Sequence, residues 1–204
     1  MKYLHWLCLL LVVAIPALGQ DRISIDVGAS GGVPLAHTLR STFCCTTATA
    51  FVSIQTNDAS YTMGLTGGAV LRDRIHISFS AMYMPVSFRS IGTTCCPLAH
   101  PIYNRHGTSW EFPLLADFRW LKGSLRPFSG GGMMLVNRTS AGENQSPAPV
   151  VSGGVEWPRH GWVVRPEFRY THFPESFSSN ISVGRPSNQA QLLLGILYRV
   201  PLSR

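Results

Sequence analysis

The stretch Trp110-Glu111-Phe112-Pro113-Leu114-Leu115-Ala116-Asp117-Phe118-Arg119-Trp120 decides how this chain is read. Alternate positions Trp110, Phe112, Leu114, Ala116, Phe118 and Trp120 are apolar, with aromatics gathered toward both ends. Glu111, Asp117 and Arg119 fall in the opposite phase. A period of two predicts a strand, because successive side chains of a strand point to opposite faces. In water the apolar face would be the core and the charged face the surface. In a strand that crosses a bilayer the apolar face meets lipid, and the charges look inward. The rest of the chain has to choose between these two demands.

The first residues predict an exported protein. Lys2 gives a basic start, Leu4 to Ile15 is nearly unbroken apolar sequence, and Ala17-Leu18-Gly19 places small residues where a signal peptidase reads them. The expectation is a cleaved signal over residues 1–19 and a single mature domain over 20–204. A retained helix is disfavoured because the run is short of the roughly 20 residues a span needs. Cys8 lies inside the apolar run after bulky Leu7, which does not suit a lipoprotein. The mature length fits one domain with its own core. No later stretch is apolar for long enough to be a helical span.

The formal charge of +7 falls to +6 without Lys2, leaving Lys122 beside fifteen arginines. Arginine is favoured where a cation must pair with carboxylates in a confined place. The balance therefore predicts an internal ion-pair network. No basic run is interleaved with aromatics, and nucleic acid is not expected as a partner.

Taken in order, the mature chain repeats the opening pattern. Arg22 to Gly32 alternates Ile23, Ile25, Val27 and Ala29 against Ser24, Asp26, Gly28 and Ser30. A polar segment from Val33 to Asn57 reads as a loop, or a loop capped by a short hairpin. Ser60 to Leu71 is a second strand, in which Gly67-Gly68 predicts a bulge or bend. After Arg72-Asp73-Arg74, a tight turn, Ile75, Ile77, Phe79, Ala81 and Tyr83 oppose His76, Ser78, Ser80 and Met82. A second long connection is expected over Phe88 to Gly107, then the opening stretch as fourth strand, then the turn Leu121 to Ser124.

The fifth strand, led in by Arg126-Pro127-Phe128 and Gly130-Gly131-Gly132 and running from Met133 to Arg138, has no clean phase. Thr139 to Pro149 is a loop, Val150 to Trp157 a sixth strand, and Pro158 to Gly161 a turn. Trp162, Val164, Pro166, Phe168 and Tyr170 then oppose Arg165, Glu167 and Arg169. A loop over Pro174 to Ser187 precedes the last strand, where Ala190, Leu192, Leu194, Ile196 and Tyr198 oppose Gln189, Gln191 and Arg199. Eight strands joined alternately by long and short connections predict an all-β, antiparallel, up-and-down transmembrane barrel. Its tight turns lie on one side of the membrane and its loops on the other. First and last strands must pair, since a bilayer tolerates no open sheet edge.

At this point the chain resembles the small eight-stranded outer-membrane barrels of Gram-negative bacteria, the OmpA/OmpX-like superfamily. The resemblance runs from Arg22 to Val200. It is carried by Trp110 to Trp120 with the following Arg126-Pro127-Phe128 and Gly130-Gly131-Gly132, and by Arg165-Pro166-Glu167-Phe168-Arg169-Tyr170. Gly195, Tyr198 and Val200 resemble the family's assembly signal, although Leu193 replaces its usual polar residue and four residues follow its usual end. The resemblance implies residence in the outer membrane, contact with its lipid, and insertion by its assembly machinery through the last strand. A monomer is expected.

Cys44-Cys45 and Cys95-Cys96 form two vicinal pairs in the first two long loops. An even count in an oxidising compartment predicts disulfides, and strain within a vicinal pair favours bridges between the loops, with connectivity open. A metal site with His37, His100 and His106 is the weaker alternative, since vicinal pairs lack the usual zinc spacing. His76 and Ser78 share a face, and relatives in the resembled family include lipid A deacylases and acyltransferases that use such residues. Here both lie in the lumen phase, away from lipid, so a structural pair is expected. Asn137, Asn144 and Asn180 begin glycosylation acceptor motifs that matter only in a eukaryotic host.

Glu111, Asp117, Arg119, Arg165, Glu167, Arg169 and Arg199 are predicted to point into the lumen as a paired network. The functional expectation is a barrel with a structural or surface-interaction role, without enzymatic activity, cofactor or metal. A small porin-like channel, a lipid A-modifying enzyme and a secreted soluble ligand-binding barrel follow in that order. The last makes the opposite demand, with Glu111 and Arg119 in solvent and Phe112 and Phe118 inside.

Overall fold

The computed structural model describes residues 23–35, 42–47, 50–57, 61–94, 102–138, 147–173 and 188–202. They form ten strands: β1 (Ile23–Pro34), β2 (Thr42–Thr47), β3 (Ala50–Asn57), β4 (Thr62–Leu71), β5 (Ile75–Thr94), β6 (Ile102–Arg119), β7 (Arg126–Arg138), β8 (Ala148–Arg159), β9 (Trp162–Thr171) and β10 (Gln189–Pro201). Leaving out β2 and β3, each strand pairs antiparallel with the next, and β10 returns to β1. The pairing of β5 with β6 completes the ring. The sheet is a closed eight-stranded barrel, so within it no edge is left unpaired.

The short connections are set by local backbone chemistry. Arg72 and Asp73 both take positive φ, 53° and 57°, and Arg74 N–H donates to the Leu71 carbonyl at 3.1 Å. That is the hairpin turn whose twist matches the strands it joins. His160 and Gly161 make a second such turn between β8 and β9, with φ of 48° and 86°. The connection between β6 and β7 is looser and is closed by Trp120 N–H on the Pro127 carbonyl and Arg126 Nε on the Gly123 carbonyl. Both ends of the described chain lie at this same end, because Ile23 pairs with Leu71 and Ser24 with Pro201.

Two expectations are corrected, and one stated alternative is decided. The connection from Phe88 to Gly107 is largely paired, with β5 and β6 continuing in register from Ser87–His106 to Ile91–Ile102. Backbone groups beyond the barrel gain by ladder pairing as those within it do, so the hairpin runs on past the closed sheet. Of the two readings of Val33 to Asn57, the one with a short hairpin holds: the segment contains β2–β3, and β3 adds to this extension of β5. Gly67-Gly68 makes no bulge, since β4 keeps continuous register with β1 and β5 through both.

β7 is strand from Arg126 onward, and its phase is legible in three dimensions. Phe128, Gly130, Gly132, Met134 and Val136 face inward, and Met133 and Leu135 face outward. The pattern is unclean in sequence because at this height the interior is itself apolar. The predicted signal segment, Cys95, Cys96, His37, His100, Asn144 and Asn180 lie outside the described residues, as does the loop over 174–187. Cys44 and Cys45 are placed only as backbone positions on β2.

Candidate functional site

The opening stretch, now β6, settles which face is which. Trp110, Phe118 and Trp120 are 41%, 38% and 61% exposed, whereas Glu111, Asp117 and Arg119 are 0%, 2% and 1% exposed. The inside of this molecule is charged and its outside is apolar. The same inversion holds around the ring: Val27, Leu65, Phe79, Leu135, Val151, Phe168 and Leu194 are exposed, while Asp26, His76, Glu156, Arg165 and Arg169 are buried. A soluble barrel has the opposite arrangement, and the expectation attached to it, Glu111 and Arg119 in solvent, is not met.

The aromatics lie in two bands. Near the tight turns Phe118 meets Trp120 edge to face at 5.3 Å and Trp162 meets Tyr198 at 5.2 Å. Toward the other end Tyr83 packs against Trp110 at 5.5 Å, and Trp110 and Phe79 both stack on Phe112. Ten residue steps separate Trp110 from Trp120. At roughly 3.3 Å per step and a tilt of about 40°, they span about 25 Å, the height of an outer-membrane barrel's apolar band.

The lumen is filled in two layers. The layer nearer the turns is ionic and centres on Arg165 of β9. Its Nη2 donates to Asp117, its Nη1 to Glu156 at 2.8 Å, and its Nε to Glu167 at 3.2 Å, while its guanidinium lies 3.8 Å over the Phe128 ring. Arg119 reaches both oxygens of Glu156, at 2.9 and 2.8 Å. Arg199 forks Asp26 at 2.7 and 2.6 Å, and Arg169 holds Glu167 through Nε and Nη2. Ser152 donates to Asp117 at 2.7 Å. Four guanidinium groups thus face four carboxylates contributed by β1, β6, β8, β9 and β10, which ties strands together across the interior as well as along the ladder.

His76 of β5 sits inside this layer. Arg165 Nη1 donates to its Nδ1 at 2.7 Å, which places the proton of a neutral ring on Nε2, 3.7 Å from Asp26. Its other close acid is Asp117 at 3.6 Å. The ring has room because position 68 is glycine, where a Cβ would stand 2.5 Å from Nε2. Its close polar neighbours are Arg165 and the two aspartates, and it lines a small cavity together with Ser78, Ser30, Thr66, Ser80 and Arg165. That cavity has room for about one water molecule. Hydroxyl contacts run through it from Ser30 to Thr66 at 3.0 Å and on to Ser80 at 2.9 Å.

The second layer, away from the turns, is apolar: Met82, Met84, Leu115, Met134, Val136, Ala148, Val150 and Phe173 are all buried. Glu111 stands among them. Its two oxygens accept from Gln189 at 3.0 Å and Gln191 at 2.9 Å. All seven charged residues predicted for the lumen are there. Six belong to the ionic layer, and Glu111 is held apart by amides. Sequence reading missed Asp26, Glu156 and the part played by His76, although Asp26 alternates with Ile25 and Val27, and Glu156 precedes outward Trp157. Among the described residues no group of His, Cys, Asp and Glu is arranged to hold a metal.

This arrangement defines a class: the small eight-stranded, up-and-down barrels of outer-membrane type. Comparison with solved structures agrees. The N-terminal β-barrel domain of Pseudomonas aeruginosa OprF matches with a TM-score of 0.51 and 13% identity, over 89% of this chain and 100% of that one. OprG from the same organism gives 0.56 and 12% over 88% and 96%. AlkL, determined in lipid bilayers, gives 0.50 and 13% over 91% and 92%. At these identities the likeness is one of fold. No protein-family model matches the sequence, and no curated protein matches it.

Proposed function

We propose that this protein is a monomeric outer-membrane barrel with a structural and surface-interaction role, exported by a cleaved signal and inserted through its last strand. The observation that carries the reading is the inversion on β6, apolar aromatics outside and Glu111, Asp117 and Arg119 inside. A filled lumen supports a structural role over conduction. The Arg199–Asp26 and Gln189–Glu111 contacts, with the Arg165 layer between them, set side chains across the bore at several heights. The barrel then acts as a rigid peg. Its long connections, including the β2–β3 and β5–β6 extension, are the parts available to a partner outside the cell.

Chemistry at His76 and Ser78 is not part of this reading. A nucleophile needs an oriented base, and His76 is engaged by Arg165 and two aspartates instead. The inter-loop disulfides among Cys44, Cys45, Cys95 and Cys96 remain part of the proposal and would brace the loop face.

The mature chain, refolded with and without detergent and run unboiled and boiled on a denaturing gel, tests the reading. Folding only in detergent, with a heat-dependent mobility shift, is expected. A monodisperse folded protein in plain buffer would sink it. In planar bilayers the folded protein is expected to give no stepwise conductance, and regular steps would move the reading to a small channel.

A further inference from the structure

We infer that the tight-turn end of the barrel carries a cationic collar that grips the phosphodiester headgroups of anionic phospholipid in the adjoining leaflet. The inference rests on the outer-membrane reading above. Each of the three tight turns supplies an exposed cation: Arg74 between β4 and β5, Lys122 between β6 and β7, and Arg159 at the turn between β8 and β9. Because these turns follow one another around a closed sheet, the charges form a ring. Among the described residues at this end, Asp73 is the one carboxylate outside the lumen; Asp26, Asp117 and Glu156 are consumed by the interior arginines. Arg126 stands at the lumen mouth, bonded to the Gly123 carbonyl, and is not counted in the collar.

Depth selects the ligand. The Arg159 guanidinium lies 5.5 Å over the ring of Trp157, an exposed residue two positions before it and close to the same turn. Lys122 follows Trp120 by two positions, and Trp120 is fixed by its own N–H on Ser129 Oγ at 3.1 Å. Trp162, packed on Tyr198, flanks the third turn. Such aromatics sit at headgroup level. Cations one or two residues beyond them are at phosphate depth, short of the open aqueous space. There an arginine can fork a phosphate, and each cation near an anionic surface favours association by roughly fivefold. A soluble acidic polymer would meet the same charges from the aqueous side, without the Trp-anchored depth, and is the competing occupant.

The test is electron paramagnetic resonance on the mature chain refolded into phosphatidylcholine vesicles, with trace spin-labelled phosphatidylglycerol or phosphatidylcholine. The motionally restricted fraction gives the relative association of each lipid. Wild type is expected to favour phosphatidylglycerol by roughly fivefold or more at 0.1 M salt. The preference should collapse in 1 M salt, where charges are screened within about 3 Å. It should also collapse in the combined variant Arg74→Ser, Lys122→Ser, Arg159→Ser, and survive when the two arginines become lysine. If the combined variant lacks the folded gel mobility, Arg159→Glu alone serves and is expected to weaken the preference several-fold.

Equal association of the two lipids in inserted wild type, or a preference unchanged in the folded variants, overturns the collar while leaving the barrel reading intact. Failure to enter vesicles of either composition overturns both. Retention of wild type on immobilised polyglutamate without a lipid preference overturns the headgroup in favour of an acidic polymer.

Discussion

Arg165 faces three carboxylates and an imidazole from a position almost without solvent. Removing one side of a buried ion pair leaves the other charge uncompensated, at a cost of about 3–5 kcal/mol. Arg165→Met is therefore expected to lower unfolding free energy by at least that range, measured by urea titration of tryptophan fluorescence in micelles. Replacing Asp117, Glu156 and Glu167 with apolar residues in the same background should recover part of the loss. Gly68→Ala probes the same layer. Its new Cβ would stand 2.5 Å from His76 Nε2 and 2.7 Å from the Ile77 carbonyl oxygen, so both the ring and the neighbouring strand must shift. The expected result is a loss of more than 2 kcal/mol in the same urea titration, with a large shift of the His76 ring resonances by NMR in whatever folds. The charged lumen residues were legible in sequence through phase alone. What phase did not reveal was the hub, because the convergence on Arg165 joins residues up to 89 positions apart.

At the level of the strand, glycine placement separates two kinds of position. A Cβ on Gly132 of β7 would fall on the Leu114 carbonyl oxygen of β6, a backbone atom with nowhere to go. One on Gly153 of β8 would rest 3.6 Å from the Phe128 carbonyl, an ordinary contact. Gly132→Ala should cost more than 2 kcal/mol or prevent folding, whereas Gly153→Ala should stay within about 0.5 kcal/mol; parallel urea titrations decide. The β4–β5 turn makes the opposite offer. Arg72 and Asp73 occupy left-handed backbone at a cost of about 1–2 kcal/mol each. Replacing the pair by Asn-Gly is expected to stabilise the hairpin by about 1 kcal/mol or more. Sequence rhythm located all eight barrel strands, and the alternation on β6 and β9 predicted their outward faces. It misjudged Gly67-Gly68 and the length of β5 and β6. A glycine that makes room for a lumen side chain looks the same in sequence as one that bulges, and a ladder beyond the closed barrel loses the apolar alternation that marks a barrel strand.

For the molecule as a whole, the four tryptophans beyond residue 19 all lie on the outer wall. Lipids brominated near the headgroup end of their chains should quench their fluorescence strongly, and lipids brominated at the chain terminus should quench it weakly. Equal quenching at both depths would mean that the aromatic bands are not at the interfaces. The interior has a further consequence for how the barrel comes into being. Asp26 on the first strand and Arg199 on the last are joined across 173 positions, at the seam where the cylinder closes. Neither the seam ladder nor its ion pair can form until the final strand arrives, so folding waits on the least local contact in the chain. Topologies of that kind fold slowly. A chain truncated before Gln189 would thus yield no smaller cylinder, only an open curved ribbon with two unsealed borders. The C-terminus is the clasp of this molecule, and the rate at which it docks sets the tempo of assembly.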